Sequence, residues 1–137
     1  MSYEVSLDAR RVDREWVWRM LSGEAYWLRW RTRADVEAQL DGAWRVAGAY
    51  AADTGSQVGF ARAFSDGVAH AYLSDVIVDP GHRGRGVGKL LVGAMVDDPV
   101  GARLQWMLHT TDAHGLYAQF GFEPPDERVM VRPAPPR

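Results

Sequence analysis

The chain has 137 residues, 47% hydrophobic and 25% charged, which is the size and balance of one soluble globular domain. A formal net charge of −2 gives no electrostatic basis for bulk nucleic-acid binding, and no apolar run approaches the roughly 20 residues that would span a membrane. Cysteine is absent, which excludes disulfides, thiolate metal ligands and a cysteine acyl-enzyme, and the four histidines, at 70, 82, 109 and 114, lack metal-ligand spacing, so no metal is expected.

Residues 3–7 alternate and predict a first strand. Asp8 or Asp13 caps a helix to about residue 21, with Val12, Trp16, Val17, Met20 and Leu21 on one face and Ser22-Gly23 ending it. Residues 24–31 are irregular and carry Tyr26, Trp27 and Trp30. Thr32 opens a second short helix to about residue 40, followed by a turn at Asp41-Gly42. Residues 44–51 and 57–64 read as a hairpin joined by Asp53-Thr54-Gly55. After a turn at Asp66-Gly67, a fourth strand covers residues 69–78. A helix over 86–97 carries Val87, Leu90, Leu91, Ala94 and Met95 as one apolar stripe, and Pro99 stops it. A fifth strand over 103–109, a helix over 112–120 and a short closing strand at 129–131 complete an α/β fold with a mixed sheet. Residues 1–132 are expected to form one domain, and 133–137 a loose Pro-rich tail. The polar N-terminus has no signal-peptide core, so a cytoplasmic location is expected.

The densest chemical signal is Arg83-Gly84-Arg85-Gly86-Val87-Gly88, between the apolar strand end Val76-Ile77-Val78 and a helix. Glycines at 84, 86 and 88 let the backbone approach a ligand and aim several N–H groups at one spot, and the helix start adds its unpaired N–H groups. With Arg83, Arg85 and Lys89 around it, the turn is an anion site suited to a pyrophosphate. A Walker loop fails twice: Arg83 stands where its first Gly belongs, and Leu90 where Ser or Thr must follow Lys89. A dinucleotide fingerprint needs G-x-G-x-x-G, and this turn runs G-x-G-x-G.

Val78-Asp79-Pro80 followed by R-G-x-G-x-G resembles the acyl-CoA loop of the GCN5-related N-acetyltransferases. Downstream, Ala113, Leu116, Tyr117, Gly121 and Phe122 match that family's A-x-x-L-Y-x-x-x-G-F helix. The resemblance covers about the last half of the chain. It implies a mixed, mostly antiparallel central sheet of about six or seven strands flanked by about four helices, with a splayed strand pair where pantetheine threads in. It implies transfer of an acetyl group from acetyl-CoA to a primary amine, by direct attack in a ternary complex. Protein N-termini or lysines as acceptors, and a non-catalytic CoA-binding module, are the alternatives to a small-molecule amine. Neither nucleic acid nor membrane is an expected partner, and a homodimer is left open.

By the same resemblance, the backbone of Val76, Ile77 and Val78 pairs with pantetheine, while residues 83–89 hold the pyrophosphate. Tyr117 is the candidate general acid toward the CoA sulfur, because a phenol near pKa 10 stays protonated at neutral pH. Asp112 sits where many members carry a cofactor-contacting Asn, or else caps the last helix. His114 shares a face with Tyr117. Tyr72 stands where many members place a Glu as general base, so Asp75 becomes the candidate base or amine anchor, with a structural Asp as the alternative. His70, Asp66 and His109 are lesser candidates. Tyr26, Trp27 and Trp30, together with Tyr72, are the expected acceptor wall, since aromatic faces attract cations.

Overall fold

The computed structural model describes residues 2–137. Five strands form one sheet in chain order: β1 (Tyr3–Ser6), β2 (Arg45–Ala51), β3 (Gln57–Ser65), β4 (His70–Val78) and β5 (Gln105–Met107). The first four are antiparallel neighbours and β5 runs parallel to β4. Helices α1 (Arg14–Glu24) and α2 (Arg33–Asp41) precede β2, α3 (Val87–Val96) joins β4 to β5, and α4 (His114–Ala118) follows β5. Among the described residues, no helix is long and apolar enough to cross a membrane.

Local chemistry sets the helix starts. Asp13 caps α1 by accepting from the Trp16 N–H, whereas Asp8 caps only a short 3-10 turn, Ala9–Arg11. Thr32 and Asp35 form a reciprocal capping box on α2. Helix α1 runs past Ser22-Gly23, because the Ser22 hydroxyl donates to the Trp18 carbonyl one turn back and the side chain stays within the helix.

The expected six or seven strands are five. Residues 101–103 form a 3-10 turn, so β5 starts late, and it ends early where it diverges from β4. Residues 129–131 make no strand: Pro124 and Pro125 break the approach, and the chain turns at Asp126, whose carboxylate accepts from the Arg128 backbone N–H and guanidinium.

The sheet is buried on both faces. Phe60, Ile77 and Val46 meet Trp16, Val17, Leu21, Val36 and Leu40 of α1 and α2. On the other face, Ala47, Ala49, Ala61, Ala63 and Leu73 meet Val87, Leu91, Val92 and Met95 of α3. That face is built from small residues because α3 lies close to it. A Cβ on Gly59 would stand 2.9 Å from Leu91 Cδ1 and 3.1 Å from Val87 Cγ1. Arg45 ties down the end of α3, with bonds of 2.7 and 2.9 Å to Asp98 and one of 2.8 Å to the Met95 carbonyl.

One irregularity positions the site. Phe60 pairs with Ile77 but Arg62 pairs with Ser74, so Ala61 faces two residues, Asp75 and Val76. This β-bulge has Asp75 at φ +52, a left-handed value that Asp tolerates better than most residues. It also reverses side-chain parity. Leu73 faces α3, yet Ile77, four residues on, faces α1, while Val76 and Val78 pack on the α3 side. Asp75 thereby points to the same side as Arg62.

Candidate functional site

The turn between β4 and α3 is an open cradle. Asp79 accepts from the Gly81 N–H and starts a 3-10 turn, Pro80–His82. Gly84 and Gly86 then take φ of +76 and +83, which side-chain-bearing residues adopt only under strain. A Cβ at either glycine would meet nothing within 4 Å, so their backbone faces open space. Gly86 is the N-cap of α3 without a side-chain cap, and the first helical bond runs from the Leu90 N–H to the Gly86 carbonyl. The N–H groups of Val87, Gly88 and Lys89 therefore lack helical acceptors. Arg83, Arg85 and Lys89 are exposed around them. Arg83 Nε reaches the Val78 carbonyl at 3.3 Å, and Tyr3 Oη holds His82 Nδ1 at 2.9 Å. A Cβ on Gly88 would stand 3.5 Å from Leu116, an ordinary packing distance, where α3 meets α4.

Beyond this cradle the sheet opens. β4 and β5 pair only from His70↔Gln105 to Tyr72↔Met107, then separate. A cavity of about 340 Å³ fills the wedge, at the small end of ligand sites. Trp27, Arg31 and Arg62 line it from the α1 side, and Ala113 and Tyr117 from the α3 side, so it passes through the plane of the sheet. The Asp79 N–H bonds to the Val58 carbonyl of β3, so by strand alternation Val76 and Val78 turn their N–H and C=O groups away from β3, toward the wedge. The hydroxyls of Tyr26, which lines the cavity, and Thr111 bond to each other and join the α1–α2 connection to the β5–α4 loop.

Asp75 lies at the centre of a cationic knot. Its Oδ1 accepts from Trp27 Nε1 at 2.8 Å and Arg31 Nη2 at 2.9 Å; its Oδ2 accepts from Arg31 Nη1 at 2.8 Å and Arg62 Nε at 2.7 Å. Burial alone would raise the pKa of this carboxyl, but the Arg31 hydrogen bonds and the charges of Arg62 and Arg31 outweigh it and hold the value below that of an ordinary Asp. A carboxylate with both oxygens engaged and its proton affinity lowered is a poor base. It has no lone pair to spare for an ammonium. The geometry therefore favours the structural alternative for Asp75 over the base or amine anchor.

Tyr117 is buried against α3, with its ring edge-on to Phe122 at 5.8 Å, and it lines the cavity. Burial first, then the charge of Asp112 and the neighbouring Tyr26, push its pKa up to about 12. Asp112 is exposed on the cavity wall and does not cap α4: Ala113 holds the cap position, its N–H bonded to Thr110 Oγ1. Tyr72 stacks on Phe64 at 4.9 Å and its hydroxyl meets His109 Nδ1; both line the cavity.

Tyr26, Trp27, Tyr72, Asp75, Val76, Asp112 and Tyr117 thus converge on one space. Trp30 does not, and the expected acceptor wall is corrected there. The chain reverses through Arg29 at φ +56, leaving Trp30 half exposed under the Arg137 guanidinium, 3.6 Å from its ring centroid. Asp66 is also elsewhere: it accepts from the N–H groups of Val68, Ala69 and His70, which drop its pKa to about 2. Sequence reasoning missed Arg31 and Arg62. The available signal was Arg62 alone among apolar neighbours in a central strand, where a charge requires a partner.

A family model described as the acetyltransferase (GNAT) domain matches residues 45–124. A solved structure from Xanthomonas campestris pv. campestris, described as a candidate acetyltransferase of the GNAT family, is 38% identical, covering 98% of this chain and 95% of its own, with a TM-score of 0.88. A candidate acetyltransferase from Deinococcus radiodurans is 22% identical, covering 95% of this chain and 87% of its own, with a TM-score of 0.72. Glucosamine-6-phosphate N-acetyltransferase from Arabidopsis thaliana is 13% identical, covering 96% and 99%, with a TM-score of 0.62. These last two share the fold. Among curated proteins, none gives a significant match.

Proposed function

The chain belongs to the GNAT acetyltransferase family, and on that premise we propose that it moves an acetyl group from acetyl-CoA to the primary amine of a small molecule, by direct attack in a ternary complex. The observation that carries the reading is continuity: the open N-terminus of α3 leads along the free edge of β4 into a cavity that passes through the sheet. The residues fit the donor. Backbone N–H groups at 87–89, with Arg83, Arg85 and Lys89, suit a pyrophosphate, and the outward backbone groups of Val76 and Val78 suit an extended amide chain. Bound acetyl-CoA supplies an activated thioester.

The protein's own side chains then have separable roles. Tyr117 keeps its proton at Oη throughout the working range and offers it as a hydrogen bond on the sulfur side. A phenol that weak stabilises a thiolate by donation more than by giving up its proton. With Asp75 occupied, the amine's proton is taken by the His109 imidazole, which shares the cavity wall with Tyr72. The cavity's volume of about 340 Å³ favours a small acceptor over a protein segment.

The test is thermal unfolding with and without acetyl-CoA, followed by thiol release with a panel of small amines and of peptides. A ligand at about 100 times its dissociation constant stabilises by about 2.7 kcal/mol. The expected result is a shift shared by CoA but not adenosine, and turnover with small amines only. No shift would remove the donor site, and turnover confined to peptides would overturn the small-molecule acceptor.

A further inference from the structure

Resting on that reading, we propose that the acceptor amine also carries a carboxylate, and that Arg62 and Ser74 on the cavity floor bind it. The knot around Asp75 is unbalanced. Arg31 and Arg62 bring two positive charges against one negative, and both side chains are only 9% exposed. Buried charge is retained where it is paired, and within the knot two guanidiniums share the single carboxylate of Asp75.

The hydrogen bonds show which guanidinium keeps a donor for a further anion. Arg31 is committed: Nη1 serves Gln39 Oε1 and Asp75, and Nη2 serves Asp75. Arg62 spends Nε on Asp75 and Nη2 on Ser74 Oγ at 3.2 Å. Its Nη1 has no hydrogen bond among the described residues, yet it is not among the buried atoms left without partners, so it opens to the cavity. Ser74 Oγ accepts from Arg62, which leaves its own O–H as a donor on the cavity lining. A guanidinium N–H beside a hydroxyl O–H is a two-donor seat for a carboxylate.

The rest of the cavity has the opposite polarity. Asp112, near enough to Tyr117 to raise its pKa, places negative charge on the α4 side, where the acetyl group would arrive. An ammonium at that side and a carboxylate on Arg62 describe a short zwitterion lying across the sheet, with its amine toward the wedge. Polyamines, which carry no anion, would leave the floor unpaired. A phosphate would bring nearly two charges to a floor with one in excess.

The experiment uses matched pairs: glycine, β-alanine and 4-aminobutyrate, each against its amide, with acetyl-CoA and thiol detection. At least one acid should exceed its amide about 100-fold in kcat/KM, the worth of a charged hydrogen-bond pair. Arg62→Lys keeps a charge for Asp75 but loses Nη1. It should raise KM for the acid about tenfold or more, narrow the acid's advantage over its amide, and leave the acetyl-CoA thermal shift intact. A turnover-independent arm keeps the two readings apart: propionate, with CoA present, should raise the melting temperature of the wild type more than propionamide does. That preference should vanish in Arg62→Lys, even in the case that no amine is acetylated. Equal thermal shifts from propionate and propionamide, or acid and amide turned over alike, would overturn the carboxylate seat. So would a preference for 2-aminoethyl phosphate over all the carboxylates.

Discussion

Replacing Asp75 with Asn separates a structural carboxylate from a catalytic one. Asn has nearly the same shape and tolerates the left-handed φ of +52, so backbone strain is unchanged. What changes is one oxygen and the charge. Each Asp75 oxygen accepts two bonds, so an amide nitrogen on either side turns two contacts into donor facing donor. At about 1.5–3 kcal/mol for each charged bond, the loss is roughly 3–6 kcal/mol, close to the ~3–5 kcal/mol for breaking a buried ion pair. Unfolding entropy of about 2.1 cal/mol/K per residue gives roughly 0.29 kcal/mol/K for 137 residues, so the melting temperature should fall by about 10–20 °C. Thermal melts measure this directly, with kcat taken well below the variant's transition. The acid limb supplies a second reading. Because the folded carboxyl titrates below an ordinary Asp, its contribution is present above about pH 4 and lost as pH falls through the folded value. Asp75→Asn should flatten that limb. A drop of less than about 3 °C, roughly 1 kcal/mol, with a kcat lowered a thousandfold would refute the reasoning and restore Asp75 as the base.

Tyr117→Phe should lower kcat by about 10- to 100-fold with little change in acetyl-CoA affinity, measured by steady-state kinetics and thermal shift. The same variant tests an alkaline effect. With the folded pKa raised to about 12, the Tyr117 contribution is fully present below pH 10 and lost as pH rises from 10 toward 12. The wild type should therefore lose stability faster than Tyr117→Phe between pH 10 and 11. Gly86→Ala puts a Cβ on a residue at φ +83, so it should cost about 1–2 kcal/mol in melting experiments and weaken acetyl-CoA binding, since relaxing the strain closes the cradle. His109→Gln should lower kcat while leaving the acetyl-CoA thermal shift intact; an unchanged kcat would return the proton to solvent.

The elements legible in the sequence are those with local causes. Thr32 and Asp35 announce their capping box, the α3 stripe has one period, and the glycine turn has its own spelling. The last strands are not legible because a strand exists through its partner. Residues 108–109 have the pattern of a strand and lose it where β4 turns away. The surroundings of Asp75 are hidden for a related reason. Its neighbours Arg31 and Arg62 lie 44 and 13 residues away, and although Arg62 in its apolar strand calls for a partner, nothing local says that the partner is Asp75. Trp30 joins the expected acceptor wall through composition alone, since three aromatics in one irregular segment do not say which turn outward.

The bulge in β4 makes this strand sensitive to length in a way it is not sensitive to composition. Exchanging one apolar residue for another at 76 or 78 keeps every direction in the strand. Deleting one residue between 74 and 76 would turn the strand's end inside out: Val76 and Val78 would face α1, Ile77 would face α3, and the backbone groups now turned to the wedge would point into β3. The inserted residue acts as a half-turn key, fixing which half of the strand is spent on architecture and which half is offered to a visitor. Apolar exchange at 76 and 78 is tolerated, while insertion and deletion are not.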